Sequence, residues 1–121
     1  PQCQFKLIDG TGKKILVARE VCNAIGLTNC QPCQLRAEDE QGKYDFVVSR
    51  AVMPLPDLYK LVRKNIARTQ RNATANGIVC LKGGHVEAET HPFRRIVEVS
   101  SISHWFQEEW FAEKYVIYIP V

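Results

Sequence analysis

No apolar run in this sequence approaches the roughly 18 residues that a membrane helix needs, so no membrane partner is expected. The opening residues alternate instead of forming an apolar block, and no secretory leader is expected there. Internal repeats and low-complexity segments are missing as well. The five cysteines are an odd number without framework spacing, which disfavours a disulfide scaffold and points to reduced thiols in a cytoplasmic protein. His85, His91 and His104 lie far from the cysteine pair and lack paired ligand spacing, so no metal site is expected. A phosphate loop is also wanting. Gly10-Thr11-Gly12-Lys13-Lys14 has neither the third glycine of the dinucleotide fingerprint nor a Gly-Lys-Ser/Thr, which leaves a tight turn as the favoured reading.

What is present suits one domain. The 121 residues are 45% hydrophobic, with two Trp and five Phe to fill a core. A net charge of +3 permits a nucleic-acid partner without requiring one. Periodicity predicts strands over residues 3–8, 30–35, 44–49, 77–81, 94–99 and 115–120. It predicts helices over residues 13–25, 56–67, 86–90 and 103–113. The first helix would bury Ile15, Ala18, Cys22 and Ile25 and stop at Gly26. Pro32 marks the second strand as an edge, and Pro56 suits a first helical turn. Strands alternating with helices predict an α/β fold on a mostly parallel sheet, with an antiparallel C-terminal end.

The most telling run is Phe46-Val47-Val48-Ser49-Arg50-Ala51, a β-branched strand that stops at an arginine. The strand ending Leu81-Lys82-Gly83 repeats the design. Ligands of open α/β sheets bind at the carboxyl ends of strands, so two adjacent strands ending in cations suggest an anionic substrate. Asp9 ends the first strand; a turn carboxylate and a ribose acceptor are equally good readings. Lys13 and Lys14, near a helix N-terminus, could meet phosphate. Arg36-Ala37-Glu38 follows the second strand, either as an exposed turn or with backbone groups against an adenine edge.

Three further features have a plainer first reading. Lys60, Arg63, Lys64, Arg68 and Arg71 read as a solvated face, although no acid interrupts them and phosphate contact stays open. Trp105, Phe106, Trp110 and Phe111 are expected to pack onto the sheet, with a base-stacking platform as the lesser alternative. Cys30-Gln31-Pro32-Cys33 resembles a redox motif. Within a strand, however, its three-residue offset puts the thiols on opposite faces, and no helix N-terminus is there to lower a thiol pKa.

Several segments in order carry a family resemblance: Phe5-x-Leu7-Ile8-Asp9, Gly12-Lys13-Lys14, Gly26-Leu27-Thr28-Asn29, Arg36-Ala37-Glu38, Tyr44 through Ala51, and Leu81-Lys82-Gly83. Together they resemble the glucose-inhibited division protein B family of S-adenosylmethionine-dependent methyltransferases, which act on guanine N7 of bacterial small-subunit ribosomal RNA. The resemblance implies a Rossmann-like, seven-stranded methyltransferase sheet. It implies Asp9 near the cofactor ribose, Ala37 and Glu38 at its adenosine, and Arg50 beside both cofactor and target base. Lys82 would face the RNA, with Lys13 a second candidate for it.

The family's first strand and glycine-rich loop have no counterpart in the 121 residues, whose first is Pro1. The expectation is a C-terminal portion of a methyltransferase domain, inactive alone, which self-associates through unpaired strand edges. Two alternatives remain: a non-catalytic RNA-binding module of the same fold, and a thiol oxidoreductase using Cys30 and Cys33.

Overall fold

The computed structural model describes residues 2–50 and 53–121. They fall into two compact units, one within Pro1–Gln41 and one within Gly42–Val121. Among the described residues the strands form two sheets.

In the first unit, strand β1 (Phe5–Asp9) leads into helix α1 (Gly12–Ala24) and returns as strand β2 (Cys30–Gln34). The two strands pair in parallel, with Phe5 opposite Cys30 and Asp9 opposite Gln34. A helix between parallel strands is the economical crossover. Gly26 ends α1 because it adopts φ +73°, a left-handed conformation that costs glycine little. Its N–H donates to the Asn23 carbonyl, and that of Leu27 to the Cys22 carbonyl, which satisfies two helix-end acceptors. Ile15 and Cys22 face inward as the spacing predicts. Ile25 does not; it caps the helix end and is 65% exposed.

In the second unit, strand β3 (Phe46–Arg50), helix α2 (Leu55–Val62), strand β4 (Gly77–Gly83), helix α3 (Glu87–Thr90), strand β5 (Glu98–Ser101) and strand β6 (Lys114–Pro120) follow in order. The sheet order is β3-β4-β6-β5. β3 and β4 are parallel, while β6 runs antiparallel to both β4 and β5. The antiparallel C-terminal end is therefore present, but parallel pairing does not dominate: this sheet is mixed. Ile78 and Cys80 of β4 and Ile117 and Ile119 of β6 meet Leu55, Leu58 and Val62 of α2 in one buried cluster. Each such aliphatic side chain contributes about 1.5–3 kcal/mol by leaving water.

Three expected elements are corrected. α2 stops at Val62 instead of continuing to residue 67. The chain there is drawn into pairing with Tyr44, whose N–H donates to the Asn65 carbonyl while the Ala67 N–H donates to the Tyr44 carbonyl. The basic run from Lys60 to Arg71 therefore does not line one helix face. The fifth strand begins at Glu98, not residue 94, because Ile96 and Val97 both donate to the Phe93 carbonyl and keep residues 94–97 in turns. Residues 103–113 form no α-helix; short 3₁₀ turns at Ile102–His104 and Glu109–Phe111 replace it. The aromatic spacing that imitates a helical stripe does not produce a buried face. Trp105, Phe106 and Trp110 are 62%, 54% and 69% exposed.

Candidate functional site

In the first unit, parallel pairing puts the ends of β1 and β2 side by side. Asp9 closes β1, and its Oδ1 accepts a 2.8 Å hydrogen bond from the Thr11 N–H. Lys14 Nζ lies 3.7 Å from Oδ2. The Thr11 backbone donor, with Lys14 beside it, holds the Asp9 carboxyl below its ordinary value of 3.8. Asp9 is thus an ionised turn carboxylate. An ionised carboxylate has about four acceptor positions, so the turn leaves acceptor capacity for a hydroxyl. Lys13 is exposed in the first turn of α1.

At the end of β2 the chain makes a 3₁₀ turn, Ala37–Asp39, closed by the Asp39 N–H donating to the Arg36 carbonyl. Ala37 is half-buried and Glu38 exposed. A shallow cavity of about 240 Å³ lies beside them, lined by Gly10, Gln34, Leu35, Arg36 and Asp39. The side chain of Gln34 donates to the Gly10 carbonyl at 3.3 Å and ties the two strand ends together. Arg36 belongs to the Arg36-Ala37-Glu38 motif, whereas Gln34 and Asp39 escape motif reading, although the same carboxyl-edge rule covers them too. A larger recess of about 320 Å³ is lined only by the consecutive residues Pro92, Phe93, Arg94, Arg95 and Ile96. It gathers no groups from separate elements and carries no chemistry here.

In the second unit, Arg50 ends β3 and pairs with Leu81 of β4, so the two cation-tipped strands are indeed parallel neighbours. Ala51 and Val52, which follow Arg50, lie outside the described residues. The pleat separates the two cations. Arg50 shares a face with Val48, which is 66% exposed, whereas Lys82 shares the face of Ile78 and Cys80, which is buried.

Lys82 is turned inward, with its side chain 9% exposed, 3.2 Å from Glu89 Oε1. Its ammonium also donates to the Met53 carbonyl at 2.5 Å. Glu89 Oε1 in turn accepts from the Leu55 N–H at 2.9 Å. These two side chains fasten the backbone that leads from β3 into α2. Glu89 carries no sequence signal, since nothing in the order of residues ties it to a lysine seven positions earlier.

Cys80 and Cys30 offer little nucleophilicity. Burial pushes the Cys80 thiol up to about 11. Cys30 is raised as well, by partial burial first and then by its contact with the Cys22 thiol. A redox cysteine needs the opposite shift. Among the described residues, no group of three or more His, Cys, Asp or Glu could hold a metal ion, and no helix is long and apolar enough to cross a membrane.

A family model described as GidB, rRNA small subunit methyltransferase G, matches residues 1–115. The chain belongs to this family. Over all 121 residues it is 52% identical to the ribosomal RNA small subunit methyltransferase G of Bacteroides thetaiotaomicron and spans 59% of that protein. It is 50% identical to the protein of the same name from Phocaeicola vulgatus, spanning 58% of it. With the Flavobacterium psychrophilum protein the identity is 38%, across 57% of its length. The chain thus spans a little over half the length of the curated relatives it matches. Its fold is the α/β fold of the GidB family, with one parallel and one mixed sheet among the described residues.

Proposed function

We propose that this chain is the C-terminal portion of a Rossmann-like methyltransferase domain that moves a methyl group from S-adenosylmethionine to guanine N7 of bacterial small-subunit ribosomal RNA. Family membership over residues 1–115 carries this reading. Both units would belong to one domain, completed in a longer polypeptide by a further strand and a glycine-rich loop, and this chain alone would transfer no methyl. The RNA substrate would place the reaction in the bacterial cytoplasm. The open edge of β3, at the end of its sheet, would let copies of this chain pair. Sedimentation velocity should then show mass rising with concentration, and a monomer at every concentration would remove that part.

An ionised Asp9 beside a recess at the strand ends supports a cofactor site there. The cavity at the ends of β1 and β2 is lined by Gly10, Gln34, Leu35, Arg36 and Asp39. Asp9 would offer carboxylate oxygens to ribose hydroxyls, while Ala37, with its small side chain, and Glu38 would face the adenosine. Bound there, S-adenosylmethionine would supply a methyl group made electrophilic by its positive sulfur. Guanine N7 has a free lone pair, so no side chain has to remove a proton. The residues instead hold and orient, which is where most of the acceleration in such a displacement originates. Arg50 would take the guanine O6 and leave N7 open to the methyl. Lys13 would meet RNA phosphate. Lys82 would reach the RNA only by exchanging Glu89 for a phosphate.

The test is Arg50→Ala in the chain lengthened to the extent of its relatives, assayed on small-subunit RNA. Methyl transfer should disappear while the far-UV circular dichroism and melting stay unchanged. Wild-type transfer by that variant would remove the central assignment.

A further inference from the structure

The loop between β5 and β6, residues 102–113, holds large apolar side chains in water. Trp105, Phe106 and Trp110 each expose more than half their surface. Exposed apolar patches of this kind mark interaction surfaces. The rings are not loosely dispersed. Trp110 meets Phe111 edge-on with centroids 5.0 Å apart, and Phe106 lies 5.3 Å from Phe111. His104 stands edge-on to Trp105 at 6.0 Å. Lys114 Nζ sits over the Trp110 ring at 5.0 Å. The turns are fixed by backbone bonds from Trp105 and Phe106 to the Ile102 carbonyl and from Phe111 to the Glu108 carbonyl.

Strand register locates this loop. Lys114 of β6 pairs with Gly83 of β4, and Ser101 of β5 is opposite Tyr115 of β6. The loop therefore leaves and rejoins the sheet at the carboxyl end of β4. Arg50, opposite Leu81, stands at that same edge of the same unit. The Gly84 N–H donates to the Glu113 carbonyl at 2.9 Å and ties the loop to it.

We propose that Trp105, Phe106 and Trp110 form a stacking platform for unpaired bases of the RNA, beside the edge where Arg50 would receive the target guanine. This rests on the RNA-methyltransferase reading above. The loop's own charge narrows the contact to base faces. Glu108, Glu109 and Glu113 outnumber Lys114 and leave the loop net negative, so it repels a phosphate backbone. Stacking needs only a π-face, which every unpaired base offers, and each stacked base is typically worth about a tenfold or larger change in affinity. A duplex keeps its base faces covered and would gain nothing here.

Both tryptophans of the chain lie in this loop, so intrinsic tryptophan fluorescence reports on it alone. Titration with a single-stranded oligoribonucleotide of small-subunit sequence should quench that fluorescence to saturation, and a duplex of the same sequence should not. Trp105→Ala and Trp110→Ala should each weaken binding about tenfold without changing its salt dependence, and Trp105→Phe should restore most of it. In the lengthened chain the same alanine variants should raise the KM for RNA and leave kcat near wild type. RNA binding seen by anisotropy without quenching would overturn the platform. So would alanine variants that bind and turn over like wild type, quenching by a basic peptide in place of RNA, or no RNA-dependent quenching in either the short or the lengthened chain. In the first two cases persisting methyl transfer would leave the methyltransferase reading standing, whereas a lengthened wild-type chain that transfers no methyl would end that reading by itself.

Discussion

The two units are built differently. Among the described residues of the first unit, Ile15 and Cys22 are the only buried apolar side chains, and the outer side of α1 leaves Leu16, Val17 and Val21 more than half exposed. Order there rests on backbone and polar devices: the Asp9 turn, the Gly26 helix stop, and a 2.7 Å ion pair from Lys6 to the nearly buried Glu40. Among the described residues of Gly42–Val121, nine buried ones from Leu55 to Ile119 make one continuous core. A unit of about 40 residues with so little apolar burial is marginal by size alone. The proposed cofactor contacts Asp9, Ala37 and Glu38 belong to the lightly packed unit, and the proposed catalytic Arg50 to the densely packed one. Precise placement of the target base needs a stiff frame, whereas a unit that closes around a nucleoside can draw part of its order from the ligand.

The strongest way to break this comparison is to spoil the dense unit. A Cβ added at Gly77 would lie 2.2 Å from the Ile119 carbonyl oxygen and 2.9 Å from Pro120 Cα. Both are backbone atoms that cannot swing aside. Gly77→Ala should therefore push β4 from β6 and cost about 3 kcal/mol, at the upper end of overpacking effects. Denaturant titration would show it as a large fall in midpoint for the second unit; an unchanged midpoint would mean that the β4–β6 contact is not what holds the core.

A smaller loss is expected at the Lys82–Glu89 pair. Glu89→Ala strands an ammonium that is 9% exposed. Solvent reaches the carboxylate side, so the cost should be about 2 kcal/mol, below that of a fully buried pair. The double variant Lys82→Met/Glu89→Leu should recover most of it, because neither charge then remains to be solvated. A double variant as unstable as the single one would show that the ion pair is not the cause.

The smallest effect sharpens the other side of the comparison. The Asp9 carboxyl is held below 3.8 in the folded unit. Its stabilising contribution is complete above the unfolded value, near 3.9 for a free aspartate, and is lost as the pH falls through the lower folded value. The Thr11 amide resonance should titrate with a midpoint below that of an unstructured aspartate, and Asp9→Asn should abolish the transition. A midpoint at or above the free value would contradict the turn geometry.

Much of this architecture was legible because hydrophobic periodicity is local. β1, β3, β4 and β6 are each made mostly of β-branched or other apolar residues, β2 with two glutamines and a proline in five residues is the exception, and each ladder begins or ends within about two residues of its predicted limit. Asp9 and Arg50 were legible because both close a strand. What escaped depends on partners distant in sequence. The Tyr44–Ile66 bridge that shortens α2 joins two segments with no shared pattern. Lys82 reads as an exposed cation at a strand end, and only the fold supplies the Met53 carbonyl and Glu89 that draw it inward. Trp105, Phe106, Trp110 and Phe111 have a spacing that suits a buried helical stripe, yet Gln107, Glu108 and Glu109 between them give no apolar surface to continue it.

The most direct measurement is calorimetric titration of S-adenosylhomocysteine into this chain and, in parallel, into the same chain lengthened upstream to the extent of its relatives. The account predicts binding to the lengthened chain and little or none to the short one, since the proposed cofactor contacts would be only part of a nucleoside site. Binding to neither would contradict the methyltransferase assignment and favour an RNA-binding module that has the fold without the chemistry. Equally tight binding to both would contradict the claim that the site is completed by residues outside these 121.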